Sequence, residues 1–141
     1  GDARFVADDA KGAAQAFERL MKIGRRADPR TFALYLATSG RDTAEAVRLA
    51  EEEHKTRGDI YTRDTLAWAL HSAGRSAEAR PLAESAIALG THDARLLYHA
   101  GAIKLAAGDA EGGRALLRKA LALNPKFDIG GAGEAAHLLA Q

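Results

Sequence analysis

The sequence predicts an all-α chain, and three observations carry that expectation. Alanine and leucine, both strong helix formers, dominate the composition, whereas aromatics make up 6% and proline occurs three times, at Pro29, Pro81 and Pro125. β-Branched residues are too few and too scattered to build several strands. Amphipathic runs alternate with short turns, and Gly40, Gly74 and Gly108 recur at a fixed interval of 34 residues. A glycine between two such runs can close one helix in the left-handed conformation and let the chain turn back. One unit is therefore helix, tight turn, helix.

The elements follow in order. Over residues 7–24, Ala13, Ala16, Phe17, Leu20 and Ile23 read as the second helix of a half-unit whose first helix is short or missing. The first full unit, 26–58, opens at Asp28-Pro29, an aspartate cap with proline in the first turn, and continues through Phe32, Ala33, Tyr35 and Leu36. After Gly40, Asp42 with Glu45 has the form of a capping box, and Ala46, Val47, Leu49 and Ala50 supply the apolar stripe. The second unit, 59–92, carries Leu66, Ala67 and Leu70 on its first helix and Leu82, Ala83, Ala86, Ile87 and Leu89 on its second. Pro81 falls inside that second helix, where it removes one backbone hydrogen bond. Gly90 stops the helix, and Thr91 or Asp93 caps the next. The third unit, 93–127, repeats the pattern with Leu96, Leu97, Ala100, Gly101 and Ile103, then Leu116, Leu117, Ala120 and Leu121, and closes at Asn124-Pro125. Residues 128–141 read as an unpaired capping helix entered through the flexible run Gly130-Gly131-Ala132-Gly133. That run has no preceding strand and no following Lys-Ser/Thr, so it is not a phosphate loop.

Composition narrows the function. A formal charge of +1, with 20 basic and 19 acidic residues interleaved, gives no single-signed field and argues against nucleic acid as a partner. The absence of cysteine removes disulfides and thiolate chemistry. No apolar run is long enough for a membrane span, so a soluble chain is expected, in bacterial cytoplasm or periplasm, with no membrane insertion. The arginine and alanine bias suggests the bacterial source. His54, His71, His92, His99 and His137 are spread over different units without metal-ligand spacing, so neither a metal nor another cofactor is expected and the enzyme reading is rejected. The chain begins at Gly1 without an initiator methionine, as expected of a piece of a longer array.

These units resemble the tetratricopeptide repeat family, whose signature sets small and large apolar residues at fixed offsets. The third unit gives Leu97-x2-Ala100-Gly101-x2-Lys104, then Gly113-x3-Leu117, Ala120 and Pro125. The second gives Arg63-x2-Leu66-Ala67-x2-Leu70, then Ala79-x3-Ala83 and Ala86, and the first gives Pro29-x2-Phe32-Ala33-x2-Leu36 and Ala46-x3-Ala50. Arg63 and Lys104 depart from the aromatic types usual at those positions. The resemblance implies a right-handed α-α superhelix of helix-turn-helix repeats whose first helices line a concave groove. It places Arg30, Leu34, Tyr61, Asp64, Trp68, His71, Arg95 and Tyr98 in that groove, with Ala27, Ala37, Ala102 and Leu105 beside them. The expected partner is an unknown protein or peptide bound in the groove, since tyrosine, tryptophan and arginine dominate interface energetics. In the competing reading, Trp68 simply packs between neighbouring first helices. The lysine and asparagine that the family uses to clamp chaperone C-terminal tails are missing, so that ligand is not expected. The alternative function is self-assembly, with the ends around Phe5, Phe17, Leu138 and Leu139 docking on another copy as a homo-oligomer, or on neighbouring repeats.

Overall fold

A computed structural model describes residues 2–127 and 129–141, with side chains from residue 11 onward except at 17, 20, 21, 25, 128 and 129. Within these bounds the chain is all-helical: α1 (Asp2–Ala27), α2 (Pro29–Ser39), α3 (Thr43–Thr56), α4 (Ile60–Ser72), α5 (Ser76–Ile87), α6 (Ala94–Ala106), α7 (Ala110–Leu123) and α8 (Ile129–Ala140). The expected half-unit is a single helix of 26 residues, longer than the stripe from Ala13 to Ile23 implies, because polar and apolar residues continue in helical register on both sides. Phe5 and Phe17 lie outside the described side chains.

Aspartates start α2, α3, α4, α6 and α7. The Asp28, Asp42, Asp59, Asp93 and Asp109 carboxylates accept from the N–H groups of Thr31 (3.1 Å), Glu45 (3.1 Å), Thr62 (3.0 Å), Arg95 (3.0 Å) and Gly112 (2.9 Å). Each satisfies a donor that the first turn leaves open and places negative charge at the positive end of the helix. Thr91 acts one step earlier, its hydroxyl accepting from the Asp93 N–H. Glycines follow the first helix of each hairpin. Gly40, Gly74 and Gly108 have φ of 68°, 80° and 99°, the left-handed conformation that their 34-residue recurrence predicts. In the last two turns the next N–H reaches back over the glycine, Arg75 to Leu70 O and Asp109 to Lys104 O, both at 2.8 Å.

The packing order follows from the hairpins. α2 packs on α3, α4 on α5 and α6 on α7, and each hairpin then rests on the next. The first helices also touch in series, α2 with α4, α4 with α6 and α6 with α8. Among the described residues the backbones of α3, α5 and α7 do not approach one another, so the first helices form an inner layer and the second helices an outer one. Alanine lets the layers approach: Ala33, Ala46, Ala69, Ala79, Ala120 and Ala135 are fully buried between larger residues such as Leu36, Leu97, Ile103 and Leu117. α6 crosses close on α7, where a Cβ on Gly113 would lie 2.7 Å from the Gly101 carbonyl oxygen.

Two expectations need correction. Leu89 is 92% exposed, because α5 ends at Ile87 and Leu89 falls beyond the stripe. Gly130, Gly131 and Gly133 are part of α8 rather than a flexible entry to it, with Gly131 buried where the helix meets its neighbours. Lys104 is held half-buried by Glu84 (3.7 Å) and Asp109 (3.9 Å), which compensates its charge between α5, α6 and α7.

Candidate interaction groove

The inner helices leave a chain of clefts along their open side. The first is bounded by Arg30, Thr31 and Leu34 from α2, Tyr61, Asp64 and Thr65 from α4, and Arg95 from α6. The second, about 610 Å³, runs past Thr38, Trp68, His71, Tyr98 and Leu105 to Glu134 and Leu138 of α8. A third joins them, sharing Leu34 and Arg95 with the first and Thr38, Trp68, Tyr98 and Glu134 with the second. All eight residues assigned to a groove therefore border one continuous depression, with α8 as its far wall.

Exposure separates these residues into two sets. Tyr61 is 44% exposed, Arg95 is exposed, and Arg30, Leu34 and His71 are half-buried. The Arg30 guanidinium lies over the Tyr61 ring, 5.9 Å from its centroid. Asp64, Trp68 and Tyr98 are buried and present only edges to the cleft. Trp68 packs between first helices: its ring stacks on His99 at 4.0 Å and on His71 at 5.0 Å, and its Nε1–H donates to Thr38 Oγ1 of α2 (3.2 Å). The Ser72 hydroxyl repeats that cross-helix tie by donating to the Ala37 carbonyl at 2.6 Å. Tyr98 extends the cluster, 5.5 Å from both Trp68 and Phe127. Trp68 is therefore a buried packing residue that also borders two of the clefts.

Beneath this aromatic cluster lies a polar pair. His99 of α6 and Asp64 of α4 are both buried, and Nδ1 lies 2.8 Å from Oδ1 and 3.1 Å from Oδ2. A carboxylate can only accept, so Nδ1 carries the proton and donates. The neighbouring imidazole differs: His71 Nδ1 meets the Ser76 hydroxyl at 2.8 Å, and burial, with a smaller contribution from the charge of His99, lowers its pKa below the usual 6.5.

His99, Thr38, Glu134 and Leu138 line these clefts too, and the repeat resemblance left them out. His99 stands 35 residues after Asp64, one more than the repeat, and that near-coincidence is the signal that could have paired them. No group of three or more His, Cys, Asp or Glu among the described residues converges to hold a metal ion. No described helix is long and apolar enough to cross a membrane. Comparison with known proteins gives no match at three levels, whether family models, curated proteins or solved structures.

Proposed function

We propose that the chain is a non-enzymatic interaction module, a right-handed stack of tetratricopeptide-like hairpins that holds a peptide or helix of a partner protein against its inner layer. The continuity of the depression from Arg30 to Leu138 carries this reading, since an elongated ligand needs an elongated receptor. The residue types along it support the same conclusion. Tyr61, Leu34 and Arg95 offer accessible contact area, while the buried Trp68 cluster keeps the surface rigid, so little ordering entropy is lost on binding.

Capture of the partner by wild-type protein and by Leu34→Glu and Tyr61→Ala variants tests the reading. Tyr61→Ala should weaken capture by at least ~1 kcal/mol and Leu34→Glu should abolish it, with helical circular dichroism unchanged. Retention by both variants would place the partner elsewhere. A second reading, self-association or packing on further repeats, rests on α1: it packs on α2 alone among the described helices, and its Ile23 is 64% exposed. An Ile23→Lys variant that turns a sedimenting dimer into a monomer would favour it.

A further inference from the structure

Among the described residues, neither arginine of the first cleft has a hydrogen-bond or ion-pair partner. Arg30 is the second residue of α2 and Arg95 the second residue of α6, and Tyr61 holds the same place on α4, the helix that lies between them. The cleft is thus armed from opposite sides by two guanidiniums, each with five N–H donors and no acceptor. Arg30 is half-buried and rests over the Tyr61 ring, 5.9 Å from its centroid. It gives up part of its hydration without receiving a carboxylate, while the ring fixes its orientation before any ligand arrives. Of the acidic residues, only Asp64 lines this cleft, and it is buried with His99 Nδ1 at 2.8 Å.

The carboxylates around the rim decide which anion fits. Asp28 and Asp59 lie within electrostatic reach of Arg30, but each spends its oxygens on its own cap, on the Thr31 N–H (3.1 Å) and hydroxyl (2.7 Å) and on the Thr62 N–H and hydroxyl (both 3.0 Å). Asp93 likewise accepts from the N–H groups of Arg95 (3.0 Å) and Leu96 (3.4 Å). The backbone donors that would cradle a phosphate or a chain-terminal carboxylate at these three helix ends are therefore taken, and the capping charges repel a dianion. Side-chain donors remain, and their planar forks match a single carboxylate. Arg95 also borders the middle cleft with Glu134 of α8, although no ion pair joins the two. Leu34 and the Tyr61 ring supply apolar surface for the methylenes of an acidic side chain.

We infer that the first cleft binds an acidic side chain of the partner polypeptide, its carboxylate held by Arg30 from the α2 side and by Arg95 from the α6 side. The inference rests on the groove reading above, for which it names the anchoring contact. Tyr61 is a positioning residue, holding the Arg30 guanidinium over the cleft.

The probe is glutamate blocked as the Nα-acetyl methylamide, titrated into the intact chain while the Nε–H resonances of Arg30 and Arg95 are followed by NMR. The blocked glutamine analogue, Nα-acetylalanine and inorganic phosphate are run beside it. A saturable shift of both arginine resonances is expected with the glutamate probe, weakened by added salt, absent with glutamine and weaker with the other two anions. Arg30→Gln and Arg95→Gln should each weaken binding about tenfold. Arg95 is exposed, so its variant reads binding without disturbing the fold. Resonances unmoved up to the solubility limit, an equal response to the glutamine probe, or binding undiminished by the two variants would each overturn the assignment. An equal response to phosphate, an adventitious ion only, would overturn it too, as would tighter binding of acetylalanine through its main-chain carboxylate. Partner capture that Tyr61→Ala reduces but the combined Arg30→Gln and Arg95→Gln change does not would overturn the acidic contact while leaving the groove reading standing.

Discussion

His99 Nδ1 lies 2.8 Å from Asp64 Oδ1, so a hydrogen-bonded pair buried on both sides joins the first helices of two successive hairpins. Removing one member strands the other. His99→Leu should cost about 3–5 kcal/mol in urea unfolding, because Asp64 is left as a buried carboxylate without a partner. Replacing both by leucine should recover most of the loss. A single-variant cost near zero would show that the pair is solvated.

Trp68→Ala tests the packing role of the other buried groove residue. The ring is 8% exposed and touches His71, His99 and Tyr98 as well as bonding Thr38. Its truncation should destabilise by about 3–5 kcal/mol, read as a lowered denaturation midpoint. Trp68→Phe should lose less, since it keeps most of the volume but not the bond to Thr38.

Two glycines should respond in opposite directions to alanine. At Gly113 the new methyl would meet the Gly101 carbonyl oxygen at 2.7 Å and the Leu105 nitrogen at 2.8 Å, backbone atoms that can only yield by separating α6 from α7. A loss of about 1–3 kcal/mol is expected. Gly133 has open space and helical backbone, so alanine there should stabilise by about 0.5–1 kcal/mol. Thermal unfolding of the two variants side by side checks both signs.

His71 should give stability a pH dependence. Its folded pKa lies below 6.5 because burial disfavours the charged ring, so the unfolded chain takes up the proton more readily. The stabilising contribution is fully present above pH 6.5 and is lost as pH falls from there through the lowered folded value. The melting temperature of wild type should drop more steeply over that range than that of His71→Gln. Parallel curves would show that His71 titrates normally.

The fold was legible because its punctuation is local. Asp28, Asp42, Asp59, Asp93 and Asp109 act within their own first turns, and Gly40, Gly74 and Gly108 within their own last ones, so their types announce the helix ends without knowledge of the rest. The 34-residue repeat then fixes which helices pair. The site was only half legible. The repeat resemblance put Arg30, Tyr61, Trp68 and Tyr98 in one groove, and all four border one depression, but it takes each helix separately. His99 becomes meaningful only against Asp64 on another helix, and Glu134 only because α8 turns back alongside the groove. The glycines of α8 misled for a physical reason: low helix propensity reads as a loop, whereas contact with α6 and α7 stabilises the helix from outside.

The two layers of helices are joined unequally. Contacts run without a break along α2, α4, α6 and α8, whereas α3, α5 and α7 are joined mainly through that inner series, the Arg80 guanidinium on the Asp109 cap of α7 (3.3 Å) being a direct tie between α5 and α7. Such a body behaves like a hinged spine with lightly tied ribs. Bending would fan the outer helices apart at little cost and widen or narrow the depression in step, so a ligand that bridges α2 to α8 would act as a brace. Amide exchange in the first helices should then slow on binding even at positions the ligand never touches.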